Sequence, residues 1–152
     1  PQTRIPSTFV IDGQPYGFPP AKLVLKKTDN GIRATLFSDD PPEALKEDYV
    51  GNSFYFDVTF DADSIDELAG QQYVYRNSVG DRTNSTTGIF MAGSKQVLQP
   101  VTAAIGFEKS DGRWVALVGG DFQLFDESSQ NDGPVMVKVQ ARLSPTLVDA
   151  KP

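Results

Sequence analysis

Hydrophobic positions along this chain recur mainly with a period of two. Ser53–Asp61 places Phe54, Phe56, Val58 and Phe60 on one side and Ser53, Tyr55, Asp57, Thr59 and Asp61 on the other. Val135–Leu143 alternates Val135, Val137, Val139, Ala141 and Leu143 with Met136, Lys138, Gln140 and Arg142. Successive side chains of a strand point to opposite faces, so both segments read as strands with one face on a core. Ser7–Asp12, Gln72–Arg76, Ile89–Ala92 and Gln96–Leu98 read as further strands, and Pro100 is expected to end the last.

Two hairpins are legible from turn chemistry. Asn30-Gly31 separates Ala21–Lys27 from Ile32–Ser38, and a two-residue type I′ turn there places Leu25 opposite Leu36 and Val24 opposite Phe37. The stretch Val101–Phe125 holds the one tryptophan, the longest apolar run (Trp114–Val118) and an Asp111-Gly112 turn. A two-residue turn there pairs Trp114 with Lys109 on the face of Phe107 and Ile105. A three-residue turn sends Trp114 to the opposite face.

Two short helices are expected. Asp40-Pro41-Pro42-Glu43 has start signals for one, and Ser64-x-x-Glu67 forms a capping box that Gly70 ends. The proline-rich Gly13–Pro20 reads as a connection, residues 1–6 as a loose lead-in and residues 144–152 as a tail. The pattern predicts one all-β domain over residues 1–152: an antiparallel two-sheet sandwich of about eight to ten strands, or alternatively a closed barrel.

Composition narrows the chemistry. The chain has neither His nor Cys, which removes Ser-His-Asp and Cys-His mechanisms, disulfides and His-containing metal sites. A net charge of −6 without a basic cluster opposes nucleic-acid binding, and no apolar run reaches membrane-spanning length. A start at Pro1 without Met fits a removed leader, so an extracytoplasmic location is expected.

No residue set earns a catalytic role or a cofactor from sequence. The acidic residues Asp57, Asp61, Asp63, Asp66 and Glu67 fail the spacing of an EF-hand, as does Asp126–Gly133, so no metal site is assigned. Paired carboxylates for glycoside hydrolysis remain an alternative that needs geometry. The candidate contact surface is aromatic: Phe37, Tyr55 and Phe125 lie opposite the apolar stripe, and Tyr73 and Tyr75 share a face, with cover by the short helices near residues 41–47 and 64–69 as the favoured alternative. These readings point to a non-catalytic interaction module for a protein or a carbohydrate. A lipocalin-like carrier of a small apolar ligand is the other non-enzymatic alternative.

Overall fold

The computed structural model describes residues 7–38, 52–77, 88–91, 96–126 and 135–151. The described chain is almost entirely strand: β1 (Ser7–Ile11), β2 (Gln14–Phe18), β3 (Lys22–Thr28), β4 (Gly31–Phe37), β5 (Asn52–Phe60), β6 (Gln72–Arg76), β7 (Gly88–Met91), β8 (Gln96–Ser110), β9 (Arg113–Asp126), β10 (Val135–Leu143) and β11 (Thr146–Lys151). All join one sheet in the order β11-β3-β4-β5-β7-β8-β9-β10-β1-β2, with β6 paired to β8. The all-β expectation holds. The described strands form one sheet rather than two, and its hydrogen-bonded order does not close into a barrel.

The sheet curls because its alternating apolar face must leave water. Phe9 of β1 meets Phe54 of β5 at 5.0 Å between ring centroids, and Phe56 of β5 meets Phe122 of β9 edge-on at 6.3 Å. Strands remote in the order thus face one another across a single core that also holds Leu23, Leu25, Ile32, Leu36 and Val139. Burying one Phe side chain is worth roughly 1.5–3 kcal/mol, so this aromatic contact is a principal reason for the curl.

The expected helix near residues 40–47 lies outside the described residues. The second expected helix is a single 3-10 turn, Asp66–Leu68. Its capping chemistry is nevertheless present. The Ser64 hydroxyl accepts from the Glu67 N–H at 3.4 Å, and the Glu67 carboxylate accepts from the Asp63 N–H at 3.0 Å. The turn stops short because Leu68 must reach the core and the Gly70 N–H must donate to the Phe107 carbonyl.

Three expected irregular segments are strands or parts of strands. Gln14–Phe18 pairs only with β1, and at a sheet edge the missing N–H of Pro15 is tolerated. The expected tail contains β11, which runs parallel to β3 with an irregularity between Leu147 and Asp149. Pro100 does not end its strand, because a register shift between Pro100 and Thr102 absorbs it and β8 continues to Ser110.

The first hairpin is displaced from the expected register by two residues. Thr28 pairs with Gly31, Leu25 with Ala34 and Leu23 with Leu36, so Asp29-Asn30 forms the turn. Among the described residues only Asp12 and Asp111 are non-glycines with positive φ, so this turn is not type I′. Gly31 instead takes φ +133° where its backbone approaches the Phe60 carbonyl. Parity survives a shift of two, so the predicted faces stand while the predicted partners change.

The second hairpin matches the two-residue reading. Lys109 pairs with Trp114, Phe107 with Ala116 and Ile105 with Val118. Asp111 and Gly112 take φ +52° and +76°, the signs a type I′ turn requires. Trp114 is 6% exposed and belongs to the core.

Strands β6 and β7 occupy one place in the wall. Both are antiparallel to β8, β6 against Thr102–Gly106 and β7 against Gln96–Leu98. The Asn77 N–H donates to the Val101 carbonyl and its side-chain amide to the Pro100 carbonyl, which pins the end of β6 beside the start of β7. The described ends of β6 and β7 thus follow one another along the same flank of β8.

Candidate functional site

The candidate aromatics fall on two faces of the sheet. Phe37 pairs with Tyr55 across β4 and β5 on the outer face, and their rings lie 6.5 Å apart at 48°. A second outer row runs across the neighbouring strands: Ser53 pairs with Phe90, Phe90 with Val97 and Val97 with Phe125. Phe37 is 9% exposed and Ser53 is buried. Tyr55, Phe90, Val97 and Phe125 are half-buried. Gln99 and Gln123, paired on the same face two positions from Val97 and Phe125, are also buried, so this row is not an ordinary wet side of an antiparallel sheet.

Tyr73 and Tyr75 are not part of that outer surface. They pair with Ile105 and Ala103, whose side chains face the core, so both tyrosines project inward from β6. Tyr75 is buried at 8% exposure, whereas Tyr73 is 38% exposed. Their rings meet edge-on at 5.0 Å, and Tyr73 also meets Phe60 at 6.3 Å. Period-two alternation groups them correctly, but the outward assignment fails because β6 adds to β8 with its aromatic side toward the core.

Polar groups border the outer row. The Arg33 guanidinium grips Asp57 through two hydrogen bonds, with Nε to Oδ1 at 2.8 Å, and the Thr35 hydroxyl donates to Oδ1 at 3.4 Å. This pairing follows from register: Thr35 sits directly opposite Asp57, and Arg33 one position along the same face. Hydrogen bonding and charge from Asp57 raise the Arg33 pKa. Burial raises that of the Tyr55 phenol, with the Asp57 charge adding to it and Arg33 opposing it.

The acidic residues separate in space. Asp57 belongs to the Arg33 pair, and Asp66 accepts from Lys109 at 3.3 Å. The Lys109 ammonium also lies 4.9 Å from the Trp114 ring centroid, which ties the 3-10 turn to the hairpin tip. Among the described residues no three His, Cys, Asp or Glu side chains converge as metal ligands. Residues 127–133 of the second acidic stretch lie outside the described residues.

Two features escaped sequence reasoning. Phe90 and Val97 extend the outer row, and only the β5-β7-β8 pairing places them beside Ser53. The hydroxyls of Ser53 and Tyr75 are buried without a hydrogen-bond partner among the described residues. Among the described residues no helix is long and apolar enough to cross a membrane. Comparison with protein-family models, with curated proteins and with solved structures finds no match for this chain.

Proposed function

We propose that the protein is a non-catalytic binding module that receives a protein partner on the outer face of the sheet around Tyr55, Phe90, Val97 and Phe125. The observation that supports this most is the apolar band itself, which crosses β5, β7, β8 and β9 on the face opposite the core and leaves Tyr55, Phe90, Val97 and Phe125 half-buried. Half-buried aromatics beside an arginine are the composition that interface centres favour. The curled sheet serves as a sandwich-like scaffold, its two halves packed through Phe56 and Phe122. An extracytoplasmic location is part of the proposal, and the cysteine-free composition is compatible with it.

A protein partner is preferred to a carbohydrate on geometric grounds. Sugar platforms use coplanar rings, whereas Phe37 and Tyr55 are tilted by 48° and Tyr73 and Tyr75 by 74°. Selection of phage-displayed random peptides against the purified chain tests the surface. Peptides that bind the wild type should lose about tenfold or more in affinity with Tyr55→Ala or Phe125→Ala, the scale of a hot-spot residue. Tyr16→Ala, on the exposed edge strand β2, should leave them unchanged. Selected peptides that bind all three variants equally would place the contact elsewhere. A parallel panel of soluble oligosaccharides that shows Tyr55-dependent binding would favour the carbohydrate reading instead.

A further inference from the structure

The inner face of β6 carries a polar group that the packing does not explain. Tyr75 is 8% exposed, and its hydroxyl has no hydrogen-bond partner among the described residues. A buried hydroxyl without a partner forfeits the hydrogen bonds that water supplies in the unfolded chain, so native interiors rarely leave one idle. Ala103 lies opposite Tyr75 on β8 and Ile105 opposite Tyr73, and the Tyr73 ring meets both Tyr75 and Phe60.

A second observation concerns the wall. Strand β6 pairs with β8, and among the described residues no ladder joins it to β5. Between Phe56 and Phe60, β5 pairs with β4 alone. Among the described residues the sheet is therefore split on the side toward which the Tyr73 ring reaches Phe60, and Tyr73, 38% exposed, is in ring contact with Tyr75.

We propose that the sheet interior beside Tyr75 is a binding site for a small neutral molecule with an apolar body and one hydroxyl or carbonyl oxygen, which pairs with the Tyr75 hydroxyl. The aromatic rings of Tyr73 and Phe60 suit the apolar body. Neutrality follows from burial, which penalises a charged ligand as it raises the Tyr75 pKa, with Tyr73 and Asp57 adding to that rise. This site lies on the opposite face from the Tyr55 row and does not rest on the reading of that row.

Benzyl alcohol and toluene form a matched pair of probes that differ by one hydroxyl. Titrated into the full chain and followed by two-dimensional NMR, benzyl alcohol should bind roughly three- to tenfold more tightly than toluene, the worth of one neutral hydrogen bond. Signals of Tyr73, Tyr75 and Ala103 should move. Tyr75→Phe keeps the ring and removes the hydroxyl, so the two probes should bind it equally. In probe-free buffer Tyr75→Phe should unfold at the same or higher urea concentration than wild type, and benzyl alcohol should stabilise the wild type more. The proposal is overturned if the probes bind the wild type equally, if neither binds, or if the preference survives in Tyr75→Phe. A destabilised Tyr75→Phe chain that binds neither probe would identify a trapped water as the partner. Tyr55→Ala and Phe125→Ala should leave probe binding intact, which separates this outcome from that of the outer surface.

Discussion

Glycine-to-alanine substitutions at Gly31 and Gly112 should differ sharply in cost. Both residues have positive φ, +133° and +76°, where an L side chain is strained. At Gly112 an added Cβ meets nothing within 4 Å, so only the backbone strain of about 1–2 kcal/mol applies. At Gly31 the same atom would lie 2.0 Å from the carbonyl oxygen of Phe60 and 3.1 Å from its carbon. Backbone cannot yield as a flexible side chain does, so β4 must move away from β5. That movement loosens the Ile32–Phe60 pair, both of whose side chains are buried. Adding strain, a weakened ladder bond and lost packing gives a cost of about 3–5 kcal/mol. For a domain of this size each kcal/mol shifts Tm by about 2–4 °C. Gly112→Ala should thus lower Tm by about 2–8 °C and Gly31→Ala by about 6–20 °C. Urea unfolding followed by emission of the buried Trp114 gives both free energies. Equal losses within about 0.5 kcal/mol would refute the close approach of β4 to β5, since the strain contributions are of the same order.

Stability should decline at alkaline pH through tyrosine ionisation. Burial raises the Tyr75 pKa above the tyrosine norm, reinforced by Tyr73 and Asp57, and burial raises that of Tyr55. An unfolded tyrosine releases its proton near pH 10, whereas the folded residue keeps it, so this stability is intact below about pH 10 and is lost as pH rises beyond it. Urea midpoints measured from about pH 8 to 11 should fall, and Tyr75→Phe should flatten the fall; an unchanged slope in that variant would reject the assignment. Replacement of residues 78–87 by Gly-Ser should preserve the fold, because Asn77 and Gly88 are held beside the same stretch of β8. Loss of cooperative unfolding in that shortened chain would show that β6 and β7 do not share one strand position.

Much of the local architecture was legible because its causes are local. Alternation in Ser53–Asp61 assigned Phe54, Phe56, Val58 and Phe60 to the core, and all four are buried there. Asp111-Gly112 located the turn but left its length open between two and three residues, and the two-residue register of the structure brings Trp114 inside. Asn30-Gly31 misled by two residues because the glycine was required by the approach of Phe60, a residue distant in sequence, rather than by the turn itself.

The candidate surface was only partly legible for the same reason. Sequence alone determined that Tyr55 opposes the Phe54–Phe60 stripe, that Tyr73 and Tyr75 share a side, and that chemistry dependent on His or Cys is absent. Tertiary structure decided which side of β6 faces the core, which strand lies beside Phe90, and that β11 pairs in parallel with β3 at the sheet edge. A period of two fixes which residues share a face. It carries no information about which face another part of the chain will cover, because that depends on contacts between strands far apart in sequence.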